Sequence, residues 1–154
     1  MHNMANIIIC DIDGTVSKVG DRLKYLQSPN KDWDAFYVHC HEDKPIMTVL
    51  DLLCDLQQVG YRIIFCTSRR ESCRQMTEVW LAQHTDGRIV NPQILMRKDS
   101  DKCHDTLVKP ELLVEALSED ELRQIAFVLE DRDSMVAKWR ELGYRCFQVA
   151  DGKF

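Results

Sequence analysis

The chain has 154 residues, of which 45% are hydrophobic and 29% charged, and its formal net charge is -5. This length suits one core, so we expect residues 1–154 to form a single domain. No apolar run approaches the ~20 residues of a membrane span, and the first residues lack the basic flank of a secretory signal. We therefore expect no membrane association and a cytoplasmic location. The acidic balance argues against broad, non-specific nucleic-acid binding, but it leaves room for a local basic groove.

The cysteines number seven, and no two of them form a Cys-x-x-Cys pair. Several lie in apolar runs, as in Ile9-Cys10 and Phe65-Cys66, where cysteine behaves as a small buried hydrophobe. The odd count and the spacing favour neither a zinc site nor a disulfide framework. A reducing compartment is the expectation that follows.

Short apolar runs alternate with helical patterns along the chain. Consecutive β-branched residues and bounded apolar runs predict five strands, at 5–10, 61–66, 93–96, 125–129 and 144–149. Apolar residues at helical spacing predict four helices, at 45–59, 72–83, 110–117 and 134–142. Pro45 and Pro110 suit the first turns of their helices, and Ser118 to Glu121 has the form of a capping box.

The order βαβαβαβαβ predicts an α/β fold with a Rossmann-like, doubly wound parallel sheet and helices on both faces. Such sheets bind ligands at the carboxyl ends of their strands. Polar residues follow four of the predicted strands, and we expect them to converge at one edge: Asp11 and Asp13, Thr67 to Arg70, Arg97 to Asp101, and Glu130 with Asp131. The segment 16–44 has no clear period, and we expect it to cover part of the site.

The run Asp11-Ile12-Asp13-Gly14-Thr15 follows the first predicted strand. Asp-Gly is also ordinary turn chemistry, but with its apolar lead the run resembles the first motif of the haloacid dehalogenase (HAD) superfamily of phosphatases. In that chemistry Asp11 attacks phosphorus and Asp13 protonates the leaving oxygen, then deprotonates water. Gly14 allows a tight turn whose amides approach phosphoryl oxygens. Magnesium would offset repulsion between the nucleophile and an anionic substrate.

The resemblance implies roles at the later strand ends. Thr67 matches a hydroxyl that binds the transferring phosphoryl group, although Thr67-Ser68 could also be a simple helix cap. Lys109, which precedes a predicted helix, matches the phosphate-neutralising lysine, although a lone lysine is usually a solvated charge. Glu130-Asp131 matches the acidic metal-binding motif, with Asp131 as direct ligand and Glu130 in support. The implied magnesium ligands are Asp11, Asp13 and Asp131.

A closer resemblance extends over most of the chain. It is to the 3′-phosphatase domain of phage polynucleotide kinase-phosphatase, through the stretches 67–69, 96–97, 101–109, 130–132 and 139–154. The family pattern implies an intracellular, phage-encoded enzyme. It also implies that phosphate and substrate are held by Thr67, Ser68, Arg69, Arg97, Asp105 and Lys109. The chain departs from the family in having Glu130 where aspartate is usual. It also lacks a P-loop motif, so we expect no kinase activity of this chain.

The resulting hypothesis is a magnesium-dependent phosphomonoester hydrolase that works through an aspartyl-phosphate and prefers 3′-phosphorylated nucleic-acid ends. The gaps from Asp13 to Thr67 and from Arg69 to Lys109 are too short for a full cap domain, so we expect little or no cap. The rival substrate is a free mononucleotide or another small phosphate ester. A phospho-accepting signalling receiver would need an acid after the second strand, where Thr67-Ser68-Arg69 stands. A silent binding subunit is disfavoured because every reacting group is present. The sequence leaves the oligomeric state open.

Overall fold

The computed structural model describes residues 5–152. The strands are β1 (Ile7–Cys10), β2 (Ser17–Lys18), β3 (Lys44–Pro45), β4 (Arg62–Arg70), β5 (Gln93–Arg97), β6 (Ile125–Arg132) and β7 (Cys146–Gly152). The α-helices are α1 (Trp33–Val38), α2 (Met47–Gln58), α3 (Arg74–His84), α4 (Asp105–Ala116), α5 (Glu119–Arg123) and α6 (Asp133–Glu141).

Five strands form one parallel sheet in the order β5-β4-β1-β6-β7. The chain runs outward from β1 to β5 and then returns to β6 on the other side of β1. The direction of winding therefore reverses between β1 and β6, and open α/β sheets bind ligands beside such a reversal. This architecture confirms the predicted doubly wound α/β fold.

The two faces of the sheet carry separate cores because successive strand residues point to opposite faces. In β1, Ile8 and Cys10 pack on the face covered by α2 and α3, whereas Ile7 and Ile9 pack on the face covered by α4 and α6. The helices contribute large buried side chains to these cores, among them Leu50, Leu53, Trp80, Leu113, Met135 and Trp139. Burial on both faces explains why the strand sequences read as continuous apolar runs.

The predicted starts of two helices were wrong. Pro45 does not begin a helix; it lies in β3 and pairs with Ser17, and α2 starts at Met47. Pro110 lies inside α4, which starts at Asp105. Interior proline costs a helix about 3 kcal/mol, but the cap at His104 and the burial of the α4 face offset this cost. The capping box before α5 is confirmed.

The segment 16–44 contains β2, α1 and two 3-10 helices, Gly20–Leu26 and His39–Glu42, and it ends at the first residue of β3. β2 and β3 form a small antiparallel ribbon, and α1 lies over the carboxyl edge of the large sheet. This segment is too short to be a domain of its own, and it covers the edge only in part. The prediction of little or no cap is confirmed.

No helix within residues 5–152 has the length and apolarity that crossing a membrane requires.

Candidate active site

A cavity of about 1290 Å³ opens at the carboxyl edge of the sheet. Its walls come from the ends of β1, β4, β5 and β6, from the first turns of α4, and from α1. Most of the predicted site residues line it, namely Asp11, Asp13, Thr67, Ser68, Arg97, Asp105, Lys109, Glu130 and Asp131. The doubly wound topology thus brings together side chains that are far apart in sequence.

Asp11 lies buried beneath the cavity at the end of β1. Lys109 Nζ is 2.7 Å from Asp11 Oδ1 and 2.7 Å from Glu130 Oε2, so the ammonium bridges the two carboxylates. Burial raises the pKa of Asp11 and the neighbouring Glu130 raises it further, while Lys109 opposes both. Lys109 reaches this position from the interior of α4, not from a loop before it. The site therefore concentrates charge away from water.

Three buried acids, Asp11, Glu130 and Asp131, each place one carboxylate oxygen in a group of three that lie within 4.8 Å of one another. Burial and Glu130 raise the pKa of Asp131 to about 6. Its Oδ2 atom is buried and accepts no hydrogen bond from residues 5–152. A buried carboxylate oxygen without a donor is costly, and hard oxygen donors are what magnesium prefers. The residues present therefore fit a magnesium ion.

Gly14 keeps the space beside this group open. Its φ of +88° favours glycine, and a Cβ atom built there would lie 2.2 Å from Asp131 Oδ2. Any side chain at position 14 would thus displace the carboxylate of Asp131. The glycine of the Asp-x-Asp-Gly run is required by this close approach as much as by the turn.

The carboxylate of Asp13 lies outside the acidic group, between two arginines. Arg69 Nη2 is 2.7 Å from Asp13 Oδ1, and Arg22 Nη2 also donates to Oδ1. Burial acts to raise the pKa of Asp13, but the guanidinium groups of Arg69 and Arg22 hold it well below its usual range. Asp13 is therefore ionised at neutral pH.

Arg69 is fully buried and does not line the cavity. It donates to Asp13, to Thr77 Oγ1 at 3.2 Å, and to Asp43 Oδ2 at 3.4 Å. Arg22 Nε donates to Asp43 Oδ1 at 2.7 Å. The predicted phosphate-binding Arg69 is thus placed behind Asp13, in a buried network of alternating charges.

Sequence reasoning missed Arg22 and Asp43. Both lie in the segment 16–44, where no periodicity marks a position as buried. A charged residue in such a segment normally faces solvent, so a single sequence carries no sign that Arg22 is 3% exposed. Only the fold, by bringing this segment against the end of β1, shows that these residues contact Asp13.

Thr67 and Ser68 form one wall beside Asp11. Thr67 Oγ1 accepts a hydrogen bond from Arg69 N at 3.2 Å, whereas Ser68 Oγ is buried without a partner among residues 5–152. Tyr37 donates its hydroxyl to the Ser68 carbonyl at 3.1 Å. Burial raises the pKa of Tyr37 to about 12, so it remains a donor. The unsatisfied Ser68 hydroxyl is available to a ligand.

A second charged network lies where β5, β6 and α4 border the cavity. Arg97 Nη2 is 2.5 Å from Asp105 Oδ1, and Arg132 donates to the other oxygen of Asp105. Arg97 also donates to the Cys103 carbonyl at 2.8 Å, and its Nε is buried without a partner in the described part of the chain. Asp105 thus holds two guanidinium groups at the cavity, and Arg132 joins the residues that sequence reasoning did not assign.

Comparisons with known proteins agree with this geometry. The family described as the polynucleotide kinase PNKP phosphatase domain matches residues 5–154. A chain of the Pnkp1/Rnl/Hen1 RNA repair complex is 30% identical, with a TM-score of 0.81, over 100% of this chain and 45% of that one. A chain of a second Pnkp1/Rnl/Hen1 complex is also 30% identical, with a TM-score of 0.77, over 100% of this chain and 49% of that one. Our chain thus spans about half the length of these relatives.

More distant structures share the fold alone. A haloacid dehalogenase-like hydrolase from Streptococcus pneumoniae is 14% identical, with a TM-score of 0.59 over 93% of this chain and 83% of that one. CbbY from Rhodobacter sphaeroides, in complex with phosphate, is 16% identical, with a TM-score of 0.60 over 98% of this chain and 88% of that one. The chain belongs to the family of PNKP phosphatase domains and is a phosphatase of the haloacid dehalogenase type.

Proposed function

We propose that the chain is a magnesium-dependent phosphomonoester hydrolase that forms an aspartyl-phosphate on Asp11 and acts on 3′-phosphorylated nucleic-acid ends. One observation carries the proposal. The Asp11 carboxylate lies beneath the cavity, held by Lys109 and adjoining Asp131, whose Oδ2 has no donor among residues 5–152. This arrangement combines a nucleophile, a fixed positive charge and a cation site at one point.

In the first step a carboxylate oxygen of Asp11 attacks phosphorus, and the bond from phosphorus to the sugar oxygen breaks. Lys109 offsets the charge that collects where the nucleophile meets an anionic phosphoryl group. The Ser68 hydroxyl, which is unsatisfied, can donate to a phosphoryl oxygen. Thr67 supports the same wall through its bond with Arg69.

Asp13 is the proposed acid and base. It protonates the leaving sugar oxygen and then takes a proton from the water that hydrolyses the aspartyl-phosphate. Because Arg22 and Arg69 keep its pKa low, the resting carboxyl is in the base form. An anionic phosphoryl group entering beside it raises the pKa, which favours the protonated form that the first step needs.

Asp11 and Asp131 would hold the magnesium ion, with Glu130 in support through Lys109. Bound there, magnesium would offset the repulsion between the substrate and the anionic nucleophile. Asp13, the third predicted ligand, could contribute only its main-chain carbonyl while its carboxylate remains with the two arginines.

Three features support a nucleic-acid end as the substrate. The cavity, at about 1290 Å³, exceeds the ~300–1,000 Å³ of typical small-molecule pockets and is open to solvent. Arg97 and Arg132, aligned by Asp105, present guanidinium forks that suit phosphate. The likeness to a chain of an RNA repair complex points to the same substrate class. This chain would then act on ends that need processing before rejoining.

The test is a substrate panel with 3′- and 5′-phosphorylated oligonucleotides and 3′- and 5′-mononucleotides. We expect the highest kcat/KM on the 3′-phosphorylated oligonucleotide, no activity in excess chelator, and recovery with magnesium. Asp11→Asn, prepared identically, is the control for contaminating phosphatase. A preference for free 5′-mononucleotides would contradict the 3′-end assignment and favour the mononucleotide rival. Full activity in chelator would contradict the metal-dependent mechanism.

A further inference from the structure

Helix α1 places three aromatic side chains along one wall of the cavity, and they contact one another. The Trp33 and Tyr37 rings are stacked, with centroids 6.0 Å apart and planes inclined by 25°. Phe36 meets both rings edge to face, at 5.8 Å from Trp33 and 5.4 Å from Tyr37. All three line the cavity that contains Asp11.

The three rings differ in exposure. Phe36 and Tyr37 are buried at 5% and 8%, whereas Trp33 is 41% exposed. The other two tryptophans, Trp80 and Trp139, are buried at 2% and 1%. Packing of α1 therefore accounts for Phe36 and Tyr37, but it leaves a large part of the Trp33 ring open. Tyr37 stacks against that ring and leaves a flat aromatic surface at the cavity.

Two cationic side chains lie beside this surface. Lys31 Nζ lies 5.8 Å from the centre of the Trp33 ring, and the Arg70 guanidinium lies 5.0 Å from the centre of the Tyr37 ring. The nearby acids are engaged, since Asp34 pairs with Arg70 at 2.5 Å and Asp32 caps α1 by accepting from Ala35 N at 2.9 Å. An aromatic face beside cations is the arrangement with which proteins bind unpaired bases and their backbone.

The aromatic wall is coupled to the phosphate-binding wall. Tyr37 donates its hydroxyl to the main-chain carbonyl of Ser68, whose side chain lies in the same cavity as Asp11. A ligand whose phosphate is held at Ser68 and Asp11 would therefore lie in the cavity that Trp33 also lines. The part of a 3′-phosphorylated nucleotide best suited to contact an aromatic ring is its base.

We propose that Trp33, supported by Tyr37, is the stacking site for the nucleobase of the nucleotide that carries the reacting phosphate. The proposal rests on the function proposed above. Because every base has a π-face, the site selects for the presence of a base and not for its identity.

The experiment compares two single-stranded, 3′-phosphorylated oligonucleotides that differ only in whether the terminal nucleotide carries a base. For the unaltered protein, removal of the base should lower kcat/KM on the order of 10-fold, the scale of one stacking contact. Trp33→Ala should lower kcat/KM on the intact substrate by the same factor. It should leave kcat/KM on the base-free substrate unchanged. Trp33→Phe should keep most of the difference. Phe147→Ala, which removes an aromatic ring 49% exposed elsewhere, should behave as the unaltered protein.

A binding measurement gives a readout separate from turnover. In the Asp11→Asn background, the intact oligonucleotide should quench tryptophan fluorescence and protect it from acrylamide, since Trp33 is the exposed tryptophan of the three. The base-free oligonucleotide should do neither. Protection that is equal for the two oligonucleotides would overturn the stacking site.

The outcomes separate this proposal from the proposed function. A 3′-preference with no base effect, or a base effect that survives in Trp33→Ala, contradicts the stacking site and leaves the 3′-phosphatase assignment intact. If 5′-phosphates prove better, ribose 5-phosphate and a 5′-mononucleotide replace the oligonucleotide pair. A Trp33-dependent difference between those two would support the stacking site while the 3′-end assignment fails.

Discussion

The guanidinium of Arg69 contacts the carboxylate of Asp13 through two nitrogens, with Nη2 2.7 Å from Oδ1 and Nε 3.2 Å from Oδ2. Arg69 is wholly buried, and the cavity is lined by Asp13 instead. The arrangement makes Arg69 a positioning residue in our proposal, one that acts on substrate through Asp13. It also couples the ionisation of Asp13 to a side chain that substrate does not touch.

We expect Arg69→Lys to lower kcat on the order of 10²-fold, because lysine keeps the charge but not the two-pronged contact with Asp13. The pKa of Asp13 should rise, since part of the interaction that lowers it is lost. The loss should appear in kcat with KM little changed, because Arg69 does not line the cavity and acts through the proton-transferring Asp13. Arg74→Lys, a change in a half-buried arginine that pairs with Glu71 and does not line the cavity, is the matched control. An unchanged kcat in folded Arg69→Lys, or a loss confined to KM, would contradict the positioning role.

Asp11→Asn tests the nucleophile. We expect activity to fall on the order of 10⁴-fold or more, the scale on which enzymes lose a nucleophile. The fold should gain stability in chelator at pH 7.5, because burial and Glu130 disfavour the charged form of Asp11 there. Chemical denaturation in chelator and a steady-state assay in magnesium check the two expectations. Retained turnover would exclude the aspartyl-phosphate.

Magnesium should stabilise the protein more at pH 7.5 than at pH 5.5. The pKa of Asp131 is raised from its usual 3.8 to about 6 by burial and by Glu130. Because the pKa of Asp131 is higher in the folded than in the unfolded protein, this residue contributes its full stabilisation of the fold below about pH 4. The contribution is lost as the pH rises through about 6. Ionised Asp131 both destabilises the metal-free protein and binds the cation. Thermal unfolding with and without magnesium measures the difference, and Asp131→Asn should abolish it.

Arg97→Ala should lower kcat/KM for a 3′-phosphorylated oligonucleotide on the order of 10²-fold, as expected when a contact to developing charge is lost. Arg97 is aligned by Asp105, and its Nε has no partner in the described chain. Lys98→Ala is the control, because the Lys98 side chain is exposed and its ammonium lies at the long distance of 3.9 Å from the Glu115 carboxylate. Rising salt should weaken binding of the oligonucleotide more than binding of a mononucleotide, because the mononucleotide has no further phosphates for the protein to contact. Equal losses in the two variants would show that Arg97 acts only through general charge.

The sheet could be predicted because each buried strand is a run of apolar residues bounded by turns, as in Ile7 to Cys10. The convergence of Asp11, Thr67 and Asp131 followed from strand order alone. The start of α4 could not be predicted, because Pro110 is a strong signal for a first turn and the weaker signal of the His104 cap lies upstream.

The contacts that surround Asp13 could not be predicted from the sequence, for a different reason. Arg22 and Asp43 contact it through an irregular segment whose path depends on the finished sheet. Residue type alone also favoured a phosphate contact for Arg69, and only the three-dimensional arrangement shows the carboxylate that stands in front of it. The single-domain organisation and the cytoplasmic location stay predictions.

The hydrogen bond from Lys109 to Asp11 joins residues 98 positions apart, and the one from Thr15 to Asp131 spans 116. β1 pairs with β4 and β6, both of which are synthesised after it. During synthesis on the ribosome, the apolar residues of β1 therefore remain unpaired until β4 and β6 have emerged. In that interval such a strand needs protection from aggregation. Contacts this distant in sequence also form slowly during refolding. The return of phosphatase activity should accordingly lag behind the return of helical structure, and it marks the closing of the sheet around β1.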